Sequence, residues 1–352
     1  MKKILYIGWI GFNNLGDELL WNIFRDTCTK YLNKNQITVT PSLPGIDLKN
    51  LEPFDTIVLG GGSLLLPGYL QILQNALHKG KSVIIWGSGL DWIEKSNLDL
   101  LTSDKLFSLE QNFKQKDIDV LDEVITRALF VGVRGPLTKK SIEIMVGSEK
   151  AKKVKIIGDP ALLLKQPTFN KPPKKIIGIN WGTTFNRLYG ANEGVVEEQL
   201  VKAAKQLIKK GYKIMIYPVW GNDIPHCERL YNKINSPENV ILDKTLYTEQ
   251  QLIEKLSPCT ATVNFKLHAN LLSLTANVPA IALGYRFKVF DYAALLGFEN
   301  LVISTDSKQL TEEIVARVEM IEKNRSLILK QYHTNTQTYI PLLESLFTQN
   351  YL

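Results

Sequence analysis

Cysteine is scarce, and no long hydrophobic run occurs. Cys28, Cys227 and Cys259 are the three cysteines of the 352-residue chain. Their wide spacing gives no CxxC or zinc pattern, and an odd number cannot pair fully. A disulfide framework is excluded, and a reducing, cytoplasmic setting is expected. A run of 18 apolar residues is missing, so no membrane-spanning helix is expected. The basic-then-apolar start from Met1 to Gly8 stops too soon for a signal peptide and has no small-residue cleavage site behind it. Blocks of like charge are missing too. The net charge is +7, but the lysines are scattered, and without a concentrated basic stripe nucleic acid is not expected as a partner. There is no GxSxG elbow, no close histidine pair, no DxD-like triad at a strand end and no P-loop lysine. Chemistry without a metal or a resident cofactor is the expectation.

What remains is ordinary globular composition, with 45% hydrophobic and 22% charged residues, in a chain long enough for two doubly wound domains. The first half repeats one theme: a short apolar run, glycines, then a helical pattern. Strands are expected at Lys3–Trp9, Asp55–Leu59, Ser82–Trp86, Leu129–Val133 and Lys155–Ile157, with a weaker one at Ile37–Val39. The runs are continuous rather than alternating, as in parallel strands covered on both faces. Residues 91–125 fit the theme poorly and read as an insertion near the sheet rim. Three prolines between Lys165 and Lys174 cannot continue a helix or a central strand. The expected division is therefore 1–166, a linker at 167–174, and a second domain at 175–335. Its strands are expected at Ile176–Asn180, Lys213–Tyr217, Val240–Leu242, Ala261–Val263, Ala280–Leu283 and Leu301–Ile303. A long helix should end near Ile328. The stripe Tyr339 to Phe347 should then form a terminal helix within 336–352, with Pro341 near its start, packing back on the first domain. The fold class is α/β: two Rossmann-like domains in a GT-B-like arrangement, with the ligand in the cleft facing the strand ends.

The candidate functional residues lie at those strand ends. The loop Gly11 to Glu18 opens a helix, and backbone N–H groups there present a positive end to an anion. It supplies Asn14, Gly16, Asp17 and Glu18. Gly60-Gly61-Gly62-Ser63 and Gly87-Ser88-Gly89 follow the next strands, where so many glycines imply close approach by something. Arg134 leaves a buried strand and must meet an anion or an acid across the sheet. His268 sits at a strand-to-helix turn in Phe265 to Asn270, with Lys266 beside it. Tyr285, Arg286 and Lys288 follow another short apolar strand, and Arg286 competes with Lys288 as the cationic ligand.

In that order these segments resemble the polysaccharide pyruvyl transferase family. The elements are Gly11 to Glu18, Leu59 to Ser63, Trp86 to Gly89, Val133 to Pro136, Gly158 to Ala161, the His268 helix, and Pro279 through Lys288. By similarity Arg134, His268 and Lys288 match that family's essential arginine, histidine and lysine. Lys266 stands where the family usually has arginine, and Arg286 where it often has an acid. The resemblance implies phosphoenolpyruvate as donor, a saccharide or lipid-linked saccharide as acceptor, and a pyruvate ketal as product, with a peripheral seat at the inner membrane face. Arg134 and Lys288 would hold the donor's phosphate and carboxylate, and His268 would protonate its methylene carbon. Asp17 or Glu18 would accept a hydroxyl proton. Two other readings are a metal-independent GT-B glycosyltransferase using a nucleotide sugar, and a non-catalytic carbohydrate-binding or regulatory protein.

Overall fold

The computed structural model describes residues 1–33, 35–103, 113–167, 173–349 and 351–352. Residues 168–172 of the expected linker, and part of the expected insertion, lie outside these. The first sheet contains β1 (Lys2–Ile7), β2 (Ile37–Pro41), β3 (Thr56–Leu59), β4 (Ser82–Ser88), β5 (Phe130–Val133) and β6 (Lys155–Ile156). The second contains β7 (Ile176–Asn180), β8 (Lys213–Tyr217), β9 (Val240–Leu242), β10 (Ala261–Asn264), β11 (Ala280–Gly284) and β12 (Val302–Ser304). Every strand pair is parallel. The core strands β3, β5 and β11 are buried at every residue, which is why their sequences run apolar without alternation.

The strand orders are β2-β1-β3-β4-β5-β6 and β12-β11-β10-β7-β8-β9. The order reverses between β1 and β3 in one sheet and between β7 and β10 in the other. In open parallel sheets the crevice outside the strand ends at such a reversal is where ligands bind. The loops leaving β1, β3, β7 and β10 therefore meet at one place.

Two expectations need correction. Residues Gln115–Arg127 are not a rim insertion. They form an amphipathic helix that buries Ile118, Leu121, Val124 and Ile125, an ordinary crossover between β4 and β5. Its polar outer face hid this in the sequence. The helix expected to end near Ile328 also does not end there. One 39-residue helix, Leu310–Thr348, continues through Pro341, which therefore sits inside the helix and not at a start. A mid-helix proline lacks the N–H for one intrahelical bond, and packing on both sides offsets that loss. Before it, Arg325 donates to Thr260 O and Asn277 O at 2.6 Å each, and the Tyr339 hydroxyl donates to Leu295 O at 3.3 Å, all in the second half. After it, Trp86 donates to Leu343 O at 3.0 Å, and Phe347 packs against Phe24 and Trp86 with ring centroids 5.6 and 5.5 Å away.

Candidate active site

Three helix N-termini face the crevice. The first, Leu15–Tyr31, follows β1. Asn14 caps it by accepting from Gly16 N at 3.1 Å. The second, Leu267–Thr275, follows β10, and the third, Phe287–Leu296, follows β11. Lys266 and Arg286 are the cap residues of these two helices, and His268 and Lys288 occupy the same place, the second helical residue. Two positive helix ends and their cationic side chains thus point the same way, an arrangement suited to an anion.

These elements border an open cavity of about 60 Å³ lined by Asp17, Ser63, Arg134, Lys266, His268 and Lys288, among others. It is continuous with a wider outer groove of about 430 Å³ that shares Asp17, Ser63, Lys266 and Lys288 with it. The halves touch here directly. Leu15 N donates to Val219 O at 3.1 Å, Trp220 Nε1 donates to Phe12 O at 3.1 Å, and Asn14 pairs with Trp220 as an antiparallel bridge. Gly16 has no room for a side chain: a Cβ there would lie 2.1 Å from His268 Nδ1.

Ion pairs cross the crevice. Asp159 Oδ2 stands 3.6 Å from His268 Nε2, ion-pair distance but just beyond a hydrogen bond, and neither atom has a hydrogen-bond partner among the described residues. Asp91 Oδ2 lies 3.0 Å from Arg286 Nη2 and 3.7 Å from Lys288 Nζ. Within the second domain, Lys266 Nζ donates to Thr183 O at 2.5 Å and lies 3.3 Å from Asp223 Oδ1. Burial would raise the Asp159 carboxyl, but the His268 charge and hydrogen-bonding capacity, with Arg134 behind, hold it below the usual range. Asp17 goes the other way. Burial pushes it up to about 6 against the pull of His268 and Lys288, although its edge keeps some contact with the cleft. Burial also acts to raise the Tyr285 phenol, yet Lys288, Arg286 and Lys266 outweigh it and bring the phenol down.

Arg134, His268 and Lys288 come together on the one cavity, but not as equals. Arg134 is fully buried beneath it. It donates to Gly62 O, Ser63 Oγ and Leu90 O at 3.2, 3.3 and 3.1 Å, and its Nε faces Asp291 Oδ2 of the second half at 3.6 Å. The acid comes from the other domain, where the sequence suggested one across the same sheet. Asn14, Gly16, Asp17, Gly62, Ser63, Lys266 and Tyr285 also line the cavity, while Arg286 faces the outer groove. Four other candidates are not cavity-lining. Gly61 and Gly87 pack on Pro160, where a Cβ would come within 3.0 and 2.5 Å of its ring. Ser88 Oγ accepts from Leu64 N at 3.2 Å inside the domain. Glu18 Oε1 accepts from Gly11 N at 2.6 Å and closes its own loop. Asp91, Asp159, Asp223 and Asp291 are missing from the sequence-based set. The Gly158-Asp159-Pro160 turn was a visible strand-end signal for one of them. The others carry no local mark. Among the described residues no group of three or more His, Cys, Asp or Glu side chains could hold a metal ion, and no helix is long and apolar enough to cross a membrane.

Solved structures of similar shape share the two-domain architecture across the whole chain. A UDP co-structure of MnaA from S. aureus superposes with a TM-score of 0.62 at 12% identity, covering 100% of this chain and 98% of that one. The UDP-GlcNAc 2-epimerase of Neisseria meningitidis bound to UDP-GlcNAc gives 0.59 at 12%, covering 100% and 99%. An α,α-trehalose 6-phosphate synthase from Burkholderia multivorans gives 0.59 at 8%, covering 99% and 96%. At these identities the likeness is one of fold, the GT-B-like pair of α/β domains. No curated protein sequence matches the chain. The family model for polysaccharide pyruvyl transferase matches residues 14–286, a span that begins at the cap of the first cleft helix and ends at the cap of the last.

Proposed function

Because this chain belongs to the polysaccharide pyruvyl transferase family, a family of transferases acting in polysaccharide pyruvylation, we propose that its donor is phosphoenolpyruvate and its product a pyruvate ketal on a sugar. The observation that carries this reading is the convergence of Lys266, His268 and Lys288 with two helix N-termini on one cavity. A donor with a phosphate and a carboxylate needs at least two positive centres. Lys266 and Lys288 supply them as point charges, with Arg134 beneath.

His268, as imidazolium, delivers a proton to the methylene carbon, leaving an oxocarbenium-like centre at C2. Asp159 is the anion that compensates its charge. One sugar hydroxyl adds to C2, phosphate leaves, and a second hydroxyl adds to close the ketal. Of the two hydroxyl protons, one replaces the proton given to carbon and the other leaves with the phosphate. Asp17 stands where cavity and groove join and takes the first hydroxyl proton. Glu18 is committed to Gly11 N. The sequence of steps needs no metal and no redox partner. A lipid-linked acceptor at the inner membrane face of the cytoplasm fits the net charge of +7.

The test is to incubate the protein with phosphoenolpyruvate and candidate saccharides. The readouts are a pyruvyl mass increment by mass spectrometry and an equal release of phosphate. Consumption of a nucleotide sugar in its place, with phosphoenolpyruvate untouched, would make the protein a glycosyltransferase.

A further inference from the structure

The outer groove is paved with aromatic rings that the chemistry above does not use. Trp9 stacks on Phe12 at 4.9 Å and meets Trp220 edge-on at 5.9 Å. Phe185 meets Trp220 at 6.2 Å. On the other side stands Trp92, with the Arg286 and Arg187 guanidinium groups 4.7 and 5.9 Å from its ring centre. Trp9, Trp92, Phe185 and Trp220 all line the groove.

Trp9, Phe12, Trp92 and Phe185 are exposed where burial would be the apolar default, and Trp220 is half-buried. Phe185 is 63% exposed and Trp92 44%. Phe185 is also held there against its own backbone preference. Its φ is +56°, and that of Asn186 is +57°, a left-handed region that bulky side chains rarely enter. The loop is fastened from below by Glu193, itself buried at the start of its helix. Glu193 Oε1 accepts from Thr184 N at 2.5 Å and from Asn186 N at 3.1 Å, while Asn186 Oδ1 accepts from Glu193 N at 2.9 Å. Thr183 Oγ1 accepts from Phe185 N at 2.8 Å. A strained, fully bonded loop that carries a solvent-facing phenyl ring points to a ligand for that ring.

We infer that the groove formed by Trp9, Trp92, Phe185 and Trp220 binds the acceptor as an oligosaccharide, stacking sugar-ring faces on the aromatic platforms. This rests on the transferase reading above and adds to it where the acceptor lies and what recognises it. Sugar rings present faces of C–H groups, which carry slight positive charge and suit the negative face of an aromatic ring. The groove is continuous with the cavity through Asp17, Ser63, Lys266 and Lys288, so a saccharide lying in it delivers its terminal hydroxyls to the donor. Arg187 has no carboxylate partner among the described residues and remains available for an acidic or phosphorylated substituent. Several platforms in series recognise more than one sugar ring, so the acceptor is a chain and not a monosaccharide.

The test uses the full-length protein on a printed glycan array, with phosphoenolpyruvate present. Wild type should retain a set of oligosaccharides. Phe185→Ala and Trp92→Ala should each weaken retention roughly tenfold, and Phe185→Trp, which keeps a flat ring, should restore it. Phosphoenolpyruvate affinity by calorimetry should not move in either Phe185 variant. Should Trp92→Ala lower the melting temperature, Phe185→Ala at the exposed loop tip carries the test alone. No retention by wild type, equal retention by the variants, or displacement of the glycans by UDP would overturn the inference. Mass spectrometry of the same glycans separates the two readings. Pyruvyl transfer by both variants at the wild-type acceptor KM overturns the groove and leaves the transferase standing. Retained glycans that never gain the pyruvyl mass support the groove and sink the transferase reading.

Discussion

The two walls of the crevice carry opposite charge. The first domain contributes Asp17, Asp91 and Asp159, and the second contributes Lys266, His268, Arg286 and Lys288. Three of the cross-cleft pairs therefore have their acid on the first wall and their cation on the second. Arg134 with Asp291 reverses the polarity, and it is also the pair in which both side chains are fully buried. The difference separates two jobs. The reversed pair is a fastening: Asp291 also accepts from Leu137 N and Thr138 N at 2.9 and 3.0 Å, capping the helix after β5 from the other domain. The pairs of common polarity border the cavity and its outer groove, so an anionic donor enters a site whose cations already have partners and must compete with them.

The largest effect should come from His268→Ala. Turnover should fall by roughly a thousandfold, with phosphoenolpyruvate affinity changed only a few-fold, because an acid acts on the transition state. Phosphate release and calorimetry separate the two quantities. Wild-type turnover would make the histidine structural and move the search for the acid to Lys288.

Arg134→Ala tests the reversed pair. It leaves the Asp291 carboxylate buried without its cation and should cost about 3–5 kcal/mol of stability, read as a lower denaturation midpoint. Burial already raises the Asp291 carboxyl, with Arg134 as the chief opposing charge. Without Arg134 the ionised form is penalised further, so the deficit should shrink as pH falls and Asp291 takes up a proton. Adding Asp291→Asn should return much of the loss. Donor affinity should fall as well, since a positive charge beneath the cavity is gone. An unchanged midpoint would mean that the pair does not fasten the domains.

Asp17→Asn should lower turnover by roughly a hundredfold at pH 7.5 and remove an acid limb near pH 6, where the wild-type carboxyl loses its proton. Its stability effect has the opposite sign. A carboxyl whose folded value is raised opposes folding once ionised, so the Asp17 contribution to stability declines as pH rises from about 4 to about 6. The asparagine variant should melt a few degrees higher at pH 7.5, with the difference closing below pH 4. A persisting acid limb in the variant would assign the titration to another group.

The smallest effect belongs to Asp91→Asn, which releases Arg286 and Lys288 from the first wall. Donor affinity should rise about fivefold, about 1 kcal/mol, and the gain should shrink with added salt. A weaker donor affinity would show that Asp91 positions the cations for the donor and does not compete with it.

Much of the fold could be read in advance because its signals are local. Continuous non-alternating runs such as Thr56–Leu59 and Ala280–Gly284 mark strands covered on both faces. The glycine turns behind them mark the places where the chain reverses. His268, Lys288 and Arg134 were legible for the same reason, each standing directly behind an apolar run. What escaped was whatever depends on a partner. Ser88 and Gly87 carry the same strand-end signal as Gly62 and Ser63, but Pro160 covers Gly87 and the Ser88 hydroxyl accepts from Leu64 N. Glu18 and Asp17 are neighbours with equivalent chemistry, and only the rotation of the helix turns one toward Gly11 and the other into the cavity.

Sequence by itself determined two parallel sheets, the glycine-rich strand ends and the residue types able to hold an anion, because backbone preference and apolar periodicity act over a few residues. Tertiary structure decided which acid meets which cation, that Arg134 is fastened to Asp291, that Phe185 is held out into a groove, and that one helix runs through Pro341 to join both halves. Each of these depends on how two domains are docked. The energies that fix the docking, buried charge pairs and packing across the crevice, belong to residues far apart in the chain, and no local pattern records them.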